Sequence, residues 1–189
     1  AQGGVILSVS ATSATMASAI YAGTDRTLTI ANAKALTTTS QNLYITALDI
    51  DLQAAQVASP SGGITTGTKA ISIHGAKIEQ TIGLGSTPNN MHITDTELQL
   101  ISTTGLTVGS TVNGVSGNIY VNGVTEAGSD HLGMVTLLSK RDEAKIIFQT
   151  TGSTFDSLEG QADNGIAVQA NVLTDTGVLI LDADIDNSS

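Results

Sequence analysis

The chain restates part of itself 47 residues later. Thr103-Thr104-Gly105 returns as Thr150-Thr151-Gly152, and at the same offset, without a gap, Ser110 falls on Ser157, Ile119 on Ile166 and Val121 on Val168. A period of ~20–50 residues is the signature of arrays in which each unit buries its apolar face only against its neighbours. Within that frame one short design recurs: an apolar residue, a polar one, an apolar one. It is read at Leu28-Thr-Ile30, Leu43-Tyr-Ile45, Ile50-Asp-Leu52, Ile71-Ser-Ile73, Met91-His-Ile93, Leu98-Gln-Leu100, Leu106-Thr-Val108, Ile119-Tyr-Val121 and Ile166-Ala-Val168. Alternation with period 2 marks half-buried strands with one wet face. Val5 to Val9 reads as a first strand, and Ser10 to Ala19 fits neither strand nor helix period.

Two families of strands can be followed. One starts at Leu28, Ile71, Ile119 and Ile166, the other at Leu43, Met91, Met134 and Val178, and successive members of each are 43 to 48 residues apart. This gives a single domain over residues 1–189, made of about four tandem units. A unit of that length holds two coils of about 22–24 residues, the contour of a parallel β-helix, and coils stacked ~4.8 Å apart make a rod roughly 38 Å long. The expected fold is therefore all-β, a right-handed parallel β-helix (β-solenoid) of about eight coils. Composition agrees: with only five aromatic residues and no Trp, the core must be stacked aliphatic side chains. Asn113-Gly114, Asn122-Gly123 and Asn164-Gly165 supply corners that need a left-handed backbone. The same pairs also suit the two-residue hairpins of an antiparallel β-sandwich or jelly roll, which is the alternative fold.

Turns followed by an apolar-x-apolar strand, as in Ser116-Gly117-Asn118-Ile119-Tyr120-Val121, resemble the parallel β-helix repeats of large secreted bacterial adhesins of the filamentous haemagglutinin type. The resemblance runs from about Thr27 onward. It implies an elongated, non-enzymatic protein, extracellular or at the cell surface, serving as a segment or subunit of a filament or adhesin.

Other functions are weighed against particular residues. A net charge of −10 with only seven Lys and Arg opposes nucleic-acid binding, because phosphate contacts need clustered cations. There is no Cys, hence no disulfide or thiolate metal site, and no run approaches the ~18 apolar residues of a membrane span. Asp182, Asp184 and Asp186 alternate along one strand face and are the metal candidates, with Asp49 and Asp51 a shorter version, calcium being the ion that takes such oxygen ligands. The expectation is nonetheless no metal and no cofactor, since alternating Asp on a wet face also serves to oppose aggregation. His74, His92 and His131 form no metal-ligand spacing, and Lys140, Arg141, Asp142, Glu143 and Lys145 read as a solvated loop with local ion pairs. No catalytic residue is assigned.

A ligand-binding module, for ice or a carbohydrate surface, is the alternative function. It draws on the Thr-x-Thr pairs at Thr27/Thr29, Thr37/Thr39, Thr66/Thr68, Thr94/Thr96 and Thr174/Thr176, which do not return once per coil. Neither Val5-Ile6-Leu7 nor Val178 to Leu181 is guarded by Pro or an amphipathic helix, so head-to-tail association with another copy, or continuation into a longer repeat array, is expected. Asn187-Ser188-Ser189 is a glycosylation sequon.

Overall fold

The computed structural model describes residues 4–13, 15–53, 63–110 and 116–184. In chain order the elements are β1 (Val5–Leu7), β2 (Ala11–Ser13), β3 (Ser18–Ile30), β4 (Ala35–Thr38), β5 (Leu43–Leu52), β6 (Gly63–Thr65), β7 (Ile71–Gly75), β8 (Gln80–Gly85), β9 (Met91–Ile93), α1 (Asp95–Leu98), β10 (Ile101–Ser102), β11 (Gly105–Ser110), β12 (Ser116–Asn122), α2 (Glu126–Ser129), β13 (Met134–Ser139), β14 (Ile146–Phe148), β15 (Ser153–Phe155), β16 (Ser157–Ala162), β17 (Ile166–Val168), β18 (Val172–Thr174) and β19 (Leu179–Asp182). Every strand ladder among the described residues is parallel. The protein is all-β with parallel sheets, and no hairpin of an antiparallel sandwich is formed among the described residues. Gly123 and Gly165 follow their Asn at φ of 67° and 106°, so these pairs make corners between parallel strands. Asn113-Gly114 lies outside the described residues.

The chain visits three sheets in a constant order. Sheet I contains residues 18–21 of β3, residues 43–47 of β5, then β7, β11, β13, β16 and β19. Sheet II contains β1 against residues 28–30 of β3, which pair in turn with residues 50–52 of β5. It continues through β9, β8, β12, β14 and β17. Between β5 and β9 a side chain stands in for the ladder, with His92 N donating to Asp49 Oδ1 at 2.9 Å. Sheet III contains β2, β4, β6 and β10, and farther on β15 and β18. Between these groups α2 replaces a strand. Thr103 N donates to His131 O on one side at 2.8 Å and Thr154 N to Val124 O on the other at 2.9 Å, so backbone bonding continues through that layer.

Register sets the length of each return. Val5 lies opposite Leu28, Leu28 opposite Ile50, Leu43 opposite Ile71, Ile71 opposite Leu106, Leu106 opposite Val135, Val135 opposite Leu158 and Leu158 opposite Leu179. Across the three sheets the returns run from 19 to 37 residues, wider than the uniform 22–24 expected from sequence. The longest holds the β8 to β9 doubling and α1. Part of the 47-residue echo is structural: Ile119, Ile146 and Ile166 are successive partners in sheet II, as are Val121, Phe148 and Val168, so the echo spans two returns. Its Thr-Thr-Gly part is not, since Thr103 precedes a sheet I strand whereas Thr150 follows a sheet II strand. Both strand families of the sequence also cross sheets: Leu28, Ile119 and Ile166 are in sheet II but Ile71 is in sheet I, and Leu43 and Met134 are in sheet I but Met91 is in sheet II. An apolar-x-apolar triplet looks alike on every face.

The core is a set of inward columns. In sheet I, Leu43, Ile71, Leu106, Val135 and Leu158 stack, and beside them Ile45, Ile73, Val108 and Leu137, all buried. Each such side chain contributes roughly 1.5–3 kcal/mol by leaving water. Of the core expected from sequence, Leu28, Ile30, Leu43, Ile45, Ile71, Ile73, Ile93, Ile119 and Val121 are buried. Ile166 is half-buried and Val168 is 54% exposed, because no further strand among the described residues covers β17. Two other expectations give way. Ser10 to Ala19 contains β2 and the start of β3, with Ala11, Ser13 and Ser18 at inward registers where larger apolar residues usually signal a strand. Leu98-Gln-Leu100 is not a strand: Leu98 ends α1, started by a capping box in which the Thr94 side chain accepts from Glu97 N while Glu97 accepts from Thr94 N.

Ile119→Ala is expected to cost about 2–5 kcal/mol in urea unfolding of the dilute protein. Val168→Ala, at an exposed site, is expected to cost less than about 0.5 kcal/mol. Equal losses at the two positions would contradict the burial described.

Candidate functional site

Residues singled out for chemistry are dispersed and engaged by the scaffold. Asp182 is exposed at the end of β19, Asp184 follows it, and Asp186 lies outside the described residues. No group of three or more His, Asp or Glu that could hold a metal occurs among the described residues. His74 Nδ1 lies 2.9 Å from Gly75 O and therefore donates to it, leaving Nε2 to accept from Thr46 Oγ1 at 3.0 Å. His92 Nε2 donates to Gly85 O at 2.7 Å, and His131 is exposed. The charged stretch at 140–145 does not pair locally as expected: Arg141 reaches back to Glu79. Lys77 likewise pairs with Asp25. Both ion pairs join different returns of the chain where it passes from sheet I to sheet II.

Sequence reading missed a polar network on the outside of sheets II and III. Glu97 Oε1 accepts from Leu52 N at 3.1 Å while Oε2 accepts from Thr94 N, tying α1 to β5. Asp95 accepts from Thr125 N and Thr125 Oγ1, both at 2.8 Å, tying α2 to α1. The Thr-x-x-Glu signature at 94–97 was available to find its first half. Burial pushes the Asp49 carboxyl above its ordinary value of 3.8, and the hydrogen bond from His92 N opposes this only in part. These groups satisfy backbone where strands are missing.

The Thr-x-Thr pairs form no flat face. Thr66 is buried, donating to Lys69 O and bonding Thr103 Oγ1 at 3.0 Å, while Thr68 is exposed at the following corner. One outward hydroxyl column does exist in sheet III: Thr12, Thr37, Thr65 and Ser102 are successive partners.

The surface that stands apart is at the two ends. Apart from Tyr44 and Ile78, the large apolar side chains exposed among the described residues are Ile6, Val9, Met16 and Tyr21 near the start and Val168, Leu173 and Val178 to Leu181 near the end. At the latter end a cleft of about 390 Å³, lined by Val168, Val172, Leu179, Leu181 and residues 169–171, opens where the inward columns stop. There β17, β18 and β19 each have one paired neighbour, leaving a row of backbone N–H and C=O groups on the other edge. Such edges, with apolar side chains beside them, can accept further parallel strands. Compared with known proteins, the chain matches no family model, no curated protein and no solved structure.

Asp49→Asn is expected to keep the bond to His92 N and remove the cost of a half-buried charge. Because the folded-state value is raised, folding is favoured below the unfolded value and that advantage is lost as pH rises through the folded one. The variant should therefore melt no lower than the parent at neutral pH, and its advantage over the parent should shrink as pH falls and Asp49 of the parent takes up its proton. A large drop in Tm at neutral pH would contradict this account of Asp49.

Proposed function

We propose that the chain is a right-handed parallel β-helix acting as a structural segment or subunit of an extracellular or cell-surface filament or adhesin, without catalysis, associating head to tail with further copies or with more of the same repeat array. The observation that carries this reading is the concentration of exposed apolar side chains and single-sided strand edges in the first and last strands. Parallel sheets visited in a fixed cyclic order support the solenoid, and right-handed crossovers are the rule for parallel strands. By strand succession the path makes seven turns through sheets II, III and I, against about eight expected from sequence. A contact between opposite ends of a rod is heterologous, so it propagates. No helix among the described residues is long and apolar enough to cross a membrane.

Binding of an ice or carbohydrate surface is a second reading, favoured by the hydroxyl column Thr12, Thr37, Thr65 and Ser102. With one hydroxyl per turn, and the column interrupted at α2, it is the weaker of the two.

Sedimentation velocity and negative-stain electron microscopy of the 189-residue chain test self-association. Concentration-dependent species that lengthen in one direction are expected. A single monomeric species at every concentration would overturn assembly by identical copies.

A further inference from the structure

Resting on the head-to-tail reading, we infer that the partner of the last turn is the first turn of a second copy, and that the two dock in one gapless register: β17 on β1, β18 on β2, and β19 on residues 18–21 of β3. The inference comes from the strand spacing at the two ends. The last turn starts its strands at Ile166, Val172 and Leu179, and the first at Val5, Ala11 and Ser18. Both sets run through sheets II, III and I in that order, and in both the strands begin six and then seven residues apart. Interior turns depart from this spacing. From sheet II to sheet III, Leu28 leads to Leu36 and Ile146 to Ser153, which are eight and seven residues, and the steps from Ile50 to Ile64 and Ile82 to Ile101 are longer still. The two terminal turns therefore match strand for strand in spacing.

Side chains agree with that register. Ile166 and Val168 point along the core columns of sheet II, as do Val5 and Leu7, so apolar meets apolar. In the other two sheets the larger residue of the last turn falls on a smaller one of the first: Val172 over Ala11 and Leu179 over Ser18. On the outside, Ile180, 47% exposed, falls over Ala19, and Ala167 over Ile6. At the sheet I to sheet II corner the exposed Asp182 of one copy comes over Tyr21 of the other, beside a corner that holds both Arg26 and Asp25, the latter paired with Lys77.

The chain has no cysteine, so introduced pairs report without background. Directly opposed residues of neighbouring strands are within the Cα separation a disulfide tolerates. Two double variants place cysteines at matched outward positions, Ile6→Cys with Ala167→Cys and Ala19→Cys with Ile180→Cys. A third, Ile6→Cys with Ile180→Cys, mismatches the sheets. Under mild oxidation at concentrations where the parent assembles, both matched variants should give a reducible ladder of linked chains about tenfold faster than the mismatched one, as held rather than colliding thiols do. Sedimentation of each reduced variant checks that it still folds and assembles. Assembly without faster linking of the matched pairs would overturn the register and leave head-to-tail association standing. Absence of assembly in parent and variants alike would overturn both.

Discussion

Strand ladders in this protein run between returns of the chain, the pairing of β8 with β9 excepted, and backbone bonds within a return are confined, among the described residues, to corners and the two short helices. Apart from β8 and β9, which pair nine residues apart, each strand finds its donors and acceptors on strands 19 to 37 residues away along the chain. No turn can satisfy its own backbone, and a buried amide without a partner costs about 1–3 kcal/mol. The inward columns obey the same rule, since Ile73 is covered by Ile45 on one side and Val108 on the other. Stability is thus a nearest-neighbour property, and the ends are the places where it is incomplete.

Corners have to be made without the regularity of the sheets, and here polar side chains act for the backbone. Buried Gln80 accepts from Ala76 N and Lys77 N and donates to Ala47 O and Leu48 O, joining one sheet I to sheet II corner to the one before it. Thr38, Thr66 and Thr103 do comparable work after sheet III, each bonding a carbonyl at its corner. Asn42 and Asn122 accept from backbone N–H groups of the following turn, at Ala70 and Thr151. The loop after β8 crosses back over that strand, and Gly83 permits it: a Cβ there would lie 1.8 Å from Thr87 O.

All-β character and most of the core were legible because Leu, Ile and Val alternate with polar residues wherever a strand is covered on both sides. Two kinds of feature were not. Where inward positions hold Ala or Ser, as in β2, period 2 leaves no trace in hydropathy. Face identity was hidden as well, because Leu28 and Ile71 sit in identical local patterns on different sheets, and only long-range pairing separates them. The acidic run was legible as an exposed strand face at Asp182. The polar network linking Glu97, Asp95 and Thr125 was not, since its partners are 30 and 45 residues apart and share no motif.

Amide hydrogen exchange, followed by mass spectrometry at low and high protein concentration, addresses nearest-neighbour stabilisation most directly. In dilute solution, protection should be greatest for β5 to β13 and should fall off over residues 5–21 and 166–182. On concentration these two terminal stretches should become protected together while the middle hardly changes. Strong protection of both ends in the dilute protein, or a uniform value along the chain, would contradict the account.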